Sequence, residues 1–396
     1  MKTLLISALV LQLLLVQAFR PMTPPKTPSN AKKIHASTNN IEKTRSLKGV
    51  DRKTLKRFLQ VEFWRSPEKE SLYPIFCAFE TACRDINRLM RRISTDNLDG
   101  YHGGVDGTPG TVNVQGEDQK KLDVIANRIL KTALSCTGQI SVLASEEEDE
   151  PTRCSDLVGG LASLGTYSAV FDPLDGSSNI DPGLPTGTIL GIYKNPSHGD
   201  PSPTSLVTQR GSELVAAAYC LYSSSAHLAL TMRSGLHLFT LDDVSGEFFL
   251  TRSNLHIPKS GPLYSFNDAN DRDWSPAIRH FIADLKSGSS PYMQTTKKRS
   301  ARYAGSLVAD LHNILINGGI FGYPGTTSKP NGKLRLVYEG NPMALLVEDA
   351  GGKATTGRQR VLDVEVKDVH QRIPLFIGSS EEVTAVEKYC EFYDKR

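Results

Sequence analysis

The chain contains no Cys-x-x-Cys pair. Its six cysteines are scattered at 77, 83, 136, 154, 220 and 390. That excludes an obvious zinc site or disulfide framework, and most read as small buried hydrophobes. Net charge is low, +3 over 396 residues, which gives no argument for nucleic acid as a partner. No P-loop is present: Gly107-Thr108-Pro109-Gly110 is not followed by Gly-Lys-Ser/Thr. The apolar run Leu4–Val16 is too short for a membrane span. The folded part shows no internal repeat or low-complexity segment. What remains, 39% hydrophobic and 22% charged, is a soluble globular chain with more than one domain or one large one.

The most informative stretch is Phe171-Asp172-Pro173-Leu174-Asp175-Gly176-Ser177-Ser178-Asn179-Ile180-Asp181. Thr166–Phe171 is apolar, β-branched and aromatic, and reads as a strand. Two aspartates follow, split by a proline. Gly176 and two serines suit a turn with outward-pointing N–H groups. Carboxylates repel a phosphate, but divalent cations between them reverse the sign. Mg²⁺ takes oxygen ligands from a few carboxylates and from phosphate. The stretch therefore reads as half of a metal-assisted phosphoryl-transfer site. A plain Asp-Pro/Asp-Gly turn is the competing reading of any shorter match.

Apolar spacing predicts helices over Thr54–Phe63 and Leu72–Ile93, with a polar connection between them. Ser94–Thr111 reads as a mobile Gly/Asp-rich loop. A further helix starts near Asp123, with a stripe of Leu122, Ile125, Ile129, Ala133 and Leu134. For Asp123 alone, a favourable charge at a helix N-terminus is a sufficient explanation. Ser141–Ala144 is a short strand running into Ser145 and five acids. These acids are either a solvated loop, or Glu146 and Glu147 face the same metals as Asp172 and Asp175 from opposite faces of a strand end. Strands are expected over Thr186–Tyr193, Leu214–Tyr222, His227–Met232, Leu236–Leu241 and Glu247–Thr251, in a mostly antiparallel sheet. Beyond a boundary near residue 257, a helix over Tyr303–Ile316 ends at Asn317-Gly318-Gly319. Strands over Ile320–Pro324 and Lys333–Glu339 follow, then helices over Met343–Ala350 and Ser380–Asp394. Such a succession suits a layered α/β (α+β) fold.

The eleven-residue stretch resembles the signature of the fructose-1,6-bisphosphatase family of metal-dependent sugar phosphatases. Three more blocks support the resemblance: Asn113–Asp123, Val142–Glu147 and Arg302–Gly352. It runs from about Thr54 to Tyr389. It implies an αβαβα layered sugar-phosphatase fold of two subdomains, here 49–256 and 257–396. It further implies a homotetramer (or homodimer), two or three Mg²⁺ per subunit with Mn²⁺ as an alternative, and loss of the 1-phosphate from fructose 1,6-bisphosphate. Neither nucleic acid nor a membrane is expected as a partner of the mature protein. By the resemblance, Glu146, Asp172, Asp175, Glu339 and the carbonyl of Leu174 are metal ligands, with Glu117 near a third metal. Asp123 and Glu147 match the pair that takes a proton from the attacking water. Gly176, Ser177 and Ser178 match the site of the departing phosphate. Asn267, Asn270, Tyr303, Tyr323 and Lys333 match the far-phosphate pocket, as does Arg302, which in the family reaches over from a neighbouring subunit.

Two departures concern regulation. AMP-inhibited animal relatives carry Gly-Thr-Gly-Glu-Leu before the second helix and Lys-Tyr before the signature strand. Here those positions read Glu68-Lys69-Glu70-Ser71-Leu72 and Thr166-Tyr167. Plant plastid relatives carry a cysteine-bearing insertion after the Ile-Tyr strand, and Lys194–Gly211 contains no cysteine. Sedoheptulose-1,7-bisphosphatase or a dual activity is the nearest rival reading. An inactive regulatory paralogue is the rival of another class, and no catalytic carboxylate is missing. A secreted carbohydrate-binding module leaves the matched acids unexplained.

The N-terminus reads as an address. Lys2, the run Leu4–Val16 and Val16-Gln17-Ala18 suit a signal peptide over 1–18. Residues 19–48 hold one acid, Glu42, among Ser, Thr, Pro, Lys and Arg, a transit-peptide composition. The pair resembles the bipartite presequence of algae with endomembrane-enclosed plastids. Simple secretion is the alternative. The plastid is expected, because phosphorylated sugars are intracellular.

Overall fold

In the computed structural model the described residues are 53–100, 120–158, 165–196, 202–294 and 296–393. The expected signal peptide 1–18, the transit-like segment 19–48, Glu117 and much of the loop Ser94–Thr111 lie outside them.

Side-chain alternation along the strands builds the layers. The first sheet has the order β2-β1-β3-β4-β5-β6-β7-β8. Its strands are β1 (Ile140–Ser145), β2 (Thr152–Arg153), β3 (Tyr167–Asp175), β4 (Thr186–Lys194), β5 (Leu214–Tyr222), β6 (His227–Thr231), β7 (Leu236–Asp242) and β8 (Glu247–Leu255). Only the β1–β3 pair is parallel. On β3, Ala169 and Phe171 enter one apolar core while Val170 enters the other. Three helices supply the first of these cores: α1 (Leu55–Arg65), α2 (Tyr73–Met90) and α3 (Lys121–Ser135).

The second sheet has the order β10-β9-β11-β13-β12. It comprises β9 (Leu263–Ser265), β10 (Ser300–Ala301), β11 (Gly319–Tyr323), β12 (Lys353–Thr355) and β13 (Leu375–Gly378). On β13, Leu375 and Ile377 face the core shared with the first sheet, and Phe376 faces away from it. Away from that shared core lie α4 (Pro276–Ser287) and α7 (Ser380–Tyr393). Between the sheets run α5 (Leu307–Asn317) and α6 (Asn341–Asp349). The order is helix, sheet, helix, sheet, helix, as expected. Among the described residues no helix is long and apolar enough to cross a membrane.

Several local expectations are corrected. The signature strand does not stop at Phe171; it continues to Asp175. Where residues 65–71 read as a polar connection, Pro67–Leu72 forms a 3₁₀ turn, in which Lys69 Nζ donates to Met232 O at 2.9 Å. On α3 the fully buried stripe is Leu122, Ala126, Leu130 and Leu134, with Ile125, Ile129 and Ala133 only half-buried beside it. Helix α5 begins at Leu307 rather than Tyr303. Gly305 is left-handed (φ 80°), and Ser306 caps the helix by accepting from Ala309 N at 3.2 Å. Lys333–Glu339 is not a strand: Arg335 makes one bridge to Arg372, and Leu336–Gly340 is a turn of π-helix. From Leu334 to Asn341 every residue is buried, so the run shows no periodicity from which to read its type.

Helix α5 packs closely on β4 where the two cross. A Cβ on Gly187 would lie 2.5 Å from Val308 Cβ. Gly187 is also the register partner of Asp175. Gly187→Ala should therefore lift the start of α5 and lower stability by ~1–3 kcal/mol, the usual cost of overpacking. Urea denaturation checks this, and an unchanged midpoint would mean that the crossing yields without strain.

Candidate active site

Asp172 and Asp175 are three residues apart, so a regular strand would point them to opposite faces. They are paired with Ile189 and Gly187, only two residues apart on β4. The extra residue is a bulge, and it turns both carboxyls the same way. Pro173 occupies the bulge, where no N–H is needed for the ladder. Its carbonyl accepts from Thr188 Oγ1 at 2.8 Å, and Leu174 N donates to Asp172 Oδ1 at 2.9 Å.

The first turn of α5 closes on Asp175. Ser306 Oγ and the N–H groups of Leu307 (3.2 Å) and Val308 (2.8 Å) all donate to its carboxylate. Gly176 then turns the chain at φ 79°, and a Cβ there would lie 2.7 Å from Ser306 Cβ. Only glycine satisfies both demands. Asn179 ties the next turn back, donating to Pro185 O and Ala304 O at 2.9 Å each.

The π-turn brings Glu339 in from the other side, where it accepts from Arg335 N. Oxygens of Asp172, Asp175 and Glu339 lie within 4.8 Å of one another, all buried. Glu146 follows β1, and its Oε1 lies 2.7 Å from the buried Arg335 guanidinium. Glu146 and Glu147 both line the same cavity. They sit in the turn after the strand, so strand alternation does not separate them. Asp123, in the first turn of α3, accepts from Lys120 N at 2.9 Å through Oδ2. Among the described residues its Oδ1 is buried without a hydrogen-bond partner.

Burial raises the pKa of every member of this group that shifts. Asp172 and Asp123 rise well above the ordinary range, through burial and then through neighbouring carboxylates: Glu146 beside Asp172, Glu147 beside Asp123. Asp175 also rises through burial, countered by Ser306, Val308 and Leu307. Glu339 reaches about 8 through burial, with Arg335 opposing and Glu146 and Asp175 adding. Hard oxygen donors clustered this closely, with an unmet oxygen beside them, fit divalent cations that prefer oxygen.

The cavity has a volume of about 610 Å³. It brings together Asp123, Glu146, Glu147, Asp172, Leu174, Asp175, Gly176, Ser177, Ser178, Asn267, Tyr303, Tyr323, Lys333 and Glu339. Asn270 and Arg302 are not among its lining residues. Arg302 is exposed and donates to Ala301 O at 2.7 Å. Lys120, Lys329 and Arg335 also line it and had been given no role. Arg335 lay in a run taken for a strand, but its spacing four before Glu339 was a usable helix-like signal. Lys120 Nζ lies 2.7 Å from Asp181 of the signature, locking that turn to the start of α3.

A five-layer α/β fold whose cavity joins clustered acids with the cations Lys120, Lys329, Lys333 and Arg335 is of the kind that metal-dependent proteins acting on anionic ligands use. The comparisons specify it further. Residues 53–253 match the fructose-1-6-bisphosphatase N-terminal domain, and residues 257–391 match the C-terminal domain. The chain is 46% identical over 331 residues to the chloroplastic fructose-1,6-bisphosphatase of Pisum sativum, covering 80% of this chain and 77% of that protein. It is 42% identical over 359 residues to chloroplastic fructose-1,6-bisphosphatase 1 of Arabidopsis thaliana, covering 87% and 82%. The holo crystal structure of Leishmania major fructose-1,6-bisphosphatase superimposes with a TM-score of 0.77 at 35% identity, covering 86% of this chain and 100% of that one. The chain belongs to the fructose-1,6-bisphosphatase family.

The raised values carry a pH consequence. The unfolded chain gives up these protons at lower pH than the folded one does. Metal-free protein should therefore lose stability as pH climbs from Glu339's ordinary 4.5 towards about 8. A bound divalent cation offsets the repulsion, so added Mg²⁺ should raise the melting temperature most at the alkaline end of that window. Calorimetric melting with and without chelator measures this. An Mg²⁺ effect that is flat or falls with pH would contradict the electrostatic account.

Proposed function

We propose that this enzyme hydrolyses the 1-phosphate of fructose 1,6-bisphosphate, giving fructose 6-phosphate and inorganic phosphate, in plastid carbon metabolism (Calvin cycle or gluconeogenesis). The supporting observation is the buried cluster Asp172, Asp175 and Glu339 lining a cavity that Lys329, Lys333, Tyr303 and Tyr323 also line. The family implies a divalent metal. Two or three Mg²⁺, or Mn²⁺, would be held by Glu146, Asp172, Asp175, Glu339 and the Leu174 carbonyl, with Glu117 at a third position. When bound, such ions neutralise charge on the transferring phosphoryl group and orient the attacking water.

The chain's own groups do the rest. Asp123 and Glu147 accept the proton of the water, and burial beside Glu147 makes Asp123 a stronger base than a surface aspartate. The turn Gly176, Ser177 and Ser178 offers N–H groups to the departing phosphate. Asn267, Tyr303, Tyr323 and Lys333 hold the far phosphate, and the Asn270 N–H donates to Asn267 O at 3.0 Å. Arg302, exposed on its own chain, suits a homotetramer (or homodimer) in which it serves a neighbour. In this reading the two family domains span 49–256 and 257–396.

Turnover of the purified enzyme on fructose 1,6-bisphosphate and on sedoheptulose 1,7-bisphosphate, with and without Mg²⁺, tests the reading. Metal-dependent release of phosphate from the fructose substrate is expected, and its absence would defeat the proposal. Asp123→Asn or Glu147→Gln should lower kcat by ~10²–10⁴ with little change in KM. Near-parental kcat in both would remove their assignment. Glu339→Gln should shift the Mg²⁺ titration to higher concentration.

Chloroplastic relatives suggest a plastid location, and we place the finer address in residues 1–48. A fluorescent reporter carrying these residues should enter the plastid, and Phe19→Ala should divert it to the endomembrane system. Secretion of the unmutated fusion would favour the secretory alternative.

A further inference from the structure

Glu148 adjoins Glu147 but does not line the cavity. It turns back against α3. Its Oε1 accepts from Lys131 Nζ at 2.6 Å and Asn127 Nδ2 at 3.0 Å, and its Oε2 from Lys131 Nζ at 2.7 Å and Thr152 Oγ1 at 2.9 Å. Asn127 uses its other atom as well. Its Oδ1 accepts from Ser145 Oγ at 2.8 Å, and Ser145 Oγ accepts from the Glu147 N–H at 3.2 Å. An unbroken chain of polar contacts thus runs from Lys131 to the backbone of Glu147.

Helix geometry gives this chain its direction. Asp123, Asn127 and Lys131 are spaced by four, so they lie one above another on a single face of α3. The turn that carries Glu146 and Glu147 lies along that face. Asp123 stands at its cavity end, and the polar chain stands behind. Glu147 sits in the turn just past β1, flanked by backbone bonds from Glu146 N to Phe171 O at 3.2 Å and from Glu148 N to Ser145 O at 3.4 Å. The polar chain adds side-chain anchorage to that turn. Lys131 and Glu148 are largely withdrawn from water, with side chains 17% and 27% exposed. Their pairing is therefore less screened than an ion pair at the rim.

We propose that Lys131, Glu148, Asn127 and Ser145 are positioning residues that fix Glu147 relative to Asp123. None of them lines the cavity, so they act only through the turn they hold. The inference rests on the reading of Asp123 and Glu147 as the proton-accepting pair. A general base works only within hydrogen-bond reach of its proton. A displacement of about 1 Å, caused far from the chemistry, can cost ~10²-fold in rate.

The test is steady-state kinetics of the full chain on fructose 1,6-bisphosphate at saturating Mg²⁺. Lys131→Met and Ser145→Ala, which cut the chain at opposite ends, should each lower kcat by ~10–10²-fold while KM moves by less than about two-fold. Lys131→Arg, which keeps the charge and the donors, should restore most of the rate. Asp123→Asn and Glu147→Gln are measured beside them. If those two lose kcat while Lys131→Met and Ser145→Ala keep it, the positioning inference alone is overturned. If all four keep it, the proton-accepting assignment falls as well. Losses that disappear when each variant is assayed well below its own melting midpoint would show a merely structural contact, and would also overturn the inference.

Discussion

Like charges buried together are the constraint on which the rest of this structure depends. Three carboxylate oxygens within 4.8 Å repel by about 3–4 kcal/mol per charged pair at an effective dielectric of about 20. Each carboxylate is given a separate partial remedy. Asp175 takes one hydroxyl and two backbone donors from the start of α5, Asp172 takes the Leu174 N–H, and Glu339 takes the backbone of Arg335. One guanidinium, that of Arg335, serves both Glu146 and Glu339. These remedies do not return the group to ordinary acidity, since Asp172 and Glu339 stay strongly raised. The remaining repulsion is what a divalent cation would relieve.

The layers exist in a form that permits this concentration of charge. Helix α5 lies between the sheets, so one helix start can reach the end of β3. Asp310, on the same helix, accepts from the N–H groups of Ala304 and Gly305 and thereby holds the segment beside Tyr303. The bulge at Pro173 aligns two carboxyls that a regular strand would separate. The π-turn at 336–340 delivers Glu339 from a fully buried run. Two irregularities in otherwise regular elements, the bulge and the π-turn, therefore converge on one cavity with the start of α5, a common pattern for unusual backbone at functional sites.

The sequence showed the chemistry of this site better than its local backbone. Asp172, Asp175 and the glycine turn were legible because Asp-Pro and Asp-Gly-Ser carry turn chemistry with a physical meaning. The long β-strands of the first sheet were legible from composition and turn signals. The segment around Glu339 was misread as a strand because burial on all sides erases periodicity. The start of α5 was placed four residues early, because Tyr303 and Ala304 continue its apolar pattern while the cap at Ser306 sets the boundary. Glu148 was concealed in a run of five acids that also fits a solvated loop. Its partners Asn127 and Lys131 lie on a helix face that only folding brings beside it. Pairings of this kind depend on tertiary register, which no local pattern encodes.

The claim that buried, mutually repelling carboxylates are discharged by divalent cations can be tested by counting protons. Mg²⁺ is titrated into metal-free enzyme by calorimetry, below the pKa of about 8 reached by Glu339, in two buffers of different ionisation enthalpy. Because raised carboxyl groups must lose their protons to become ligands, binding should release protons, and Glu339→Gln should release fewer. Binding with no proton release, or no measurable binding at all, would contradict the account.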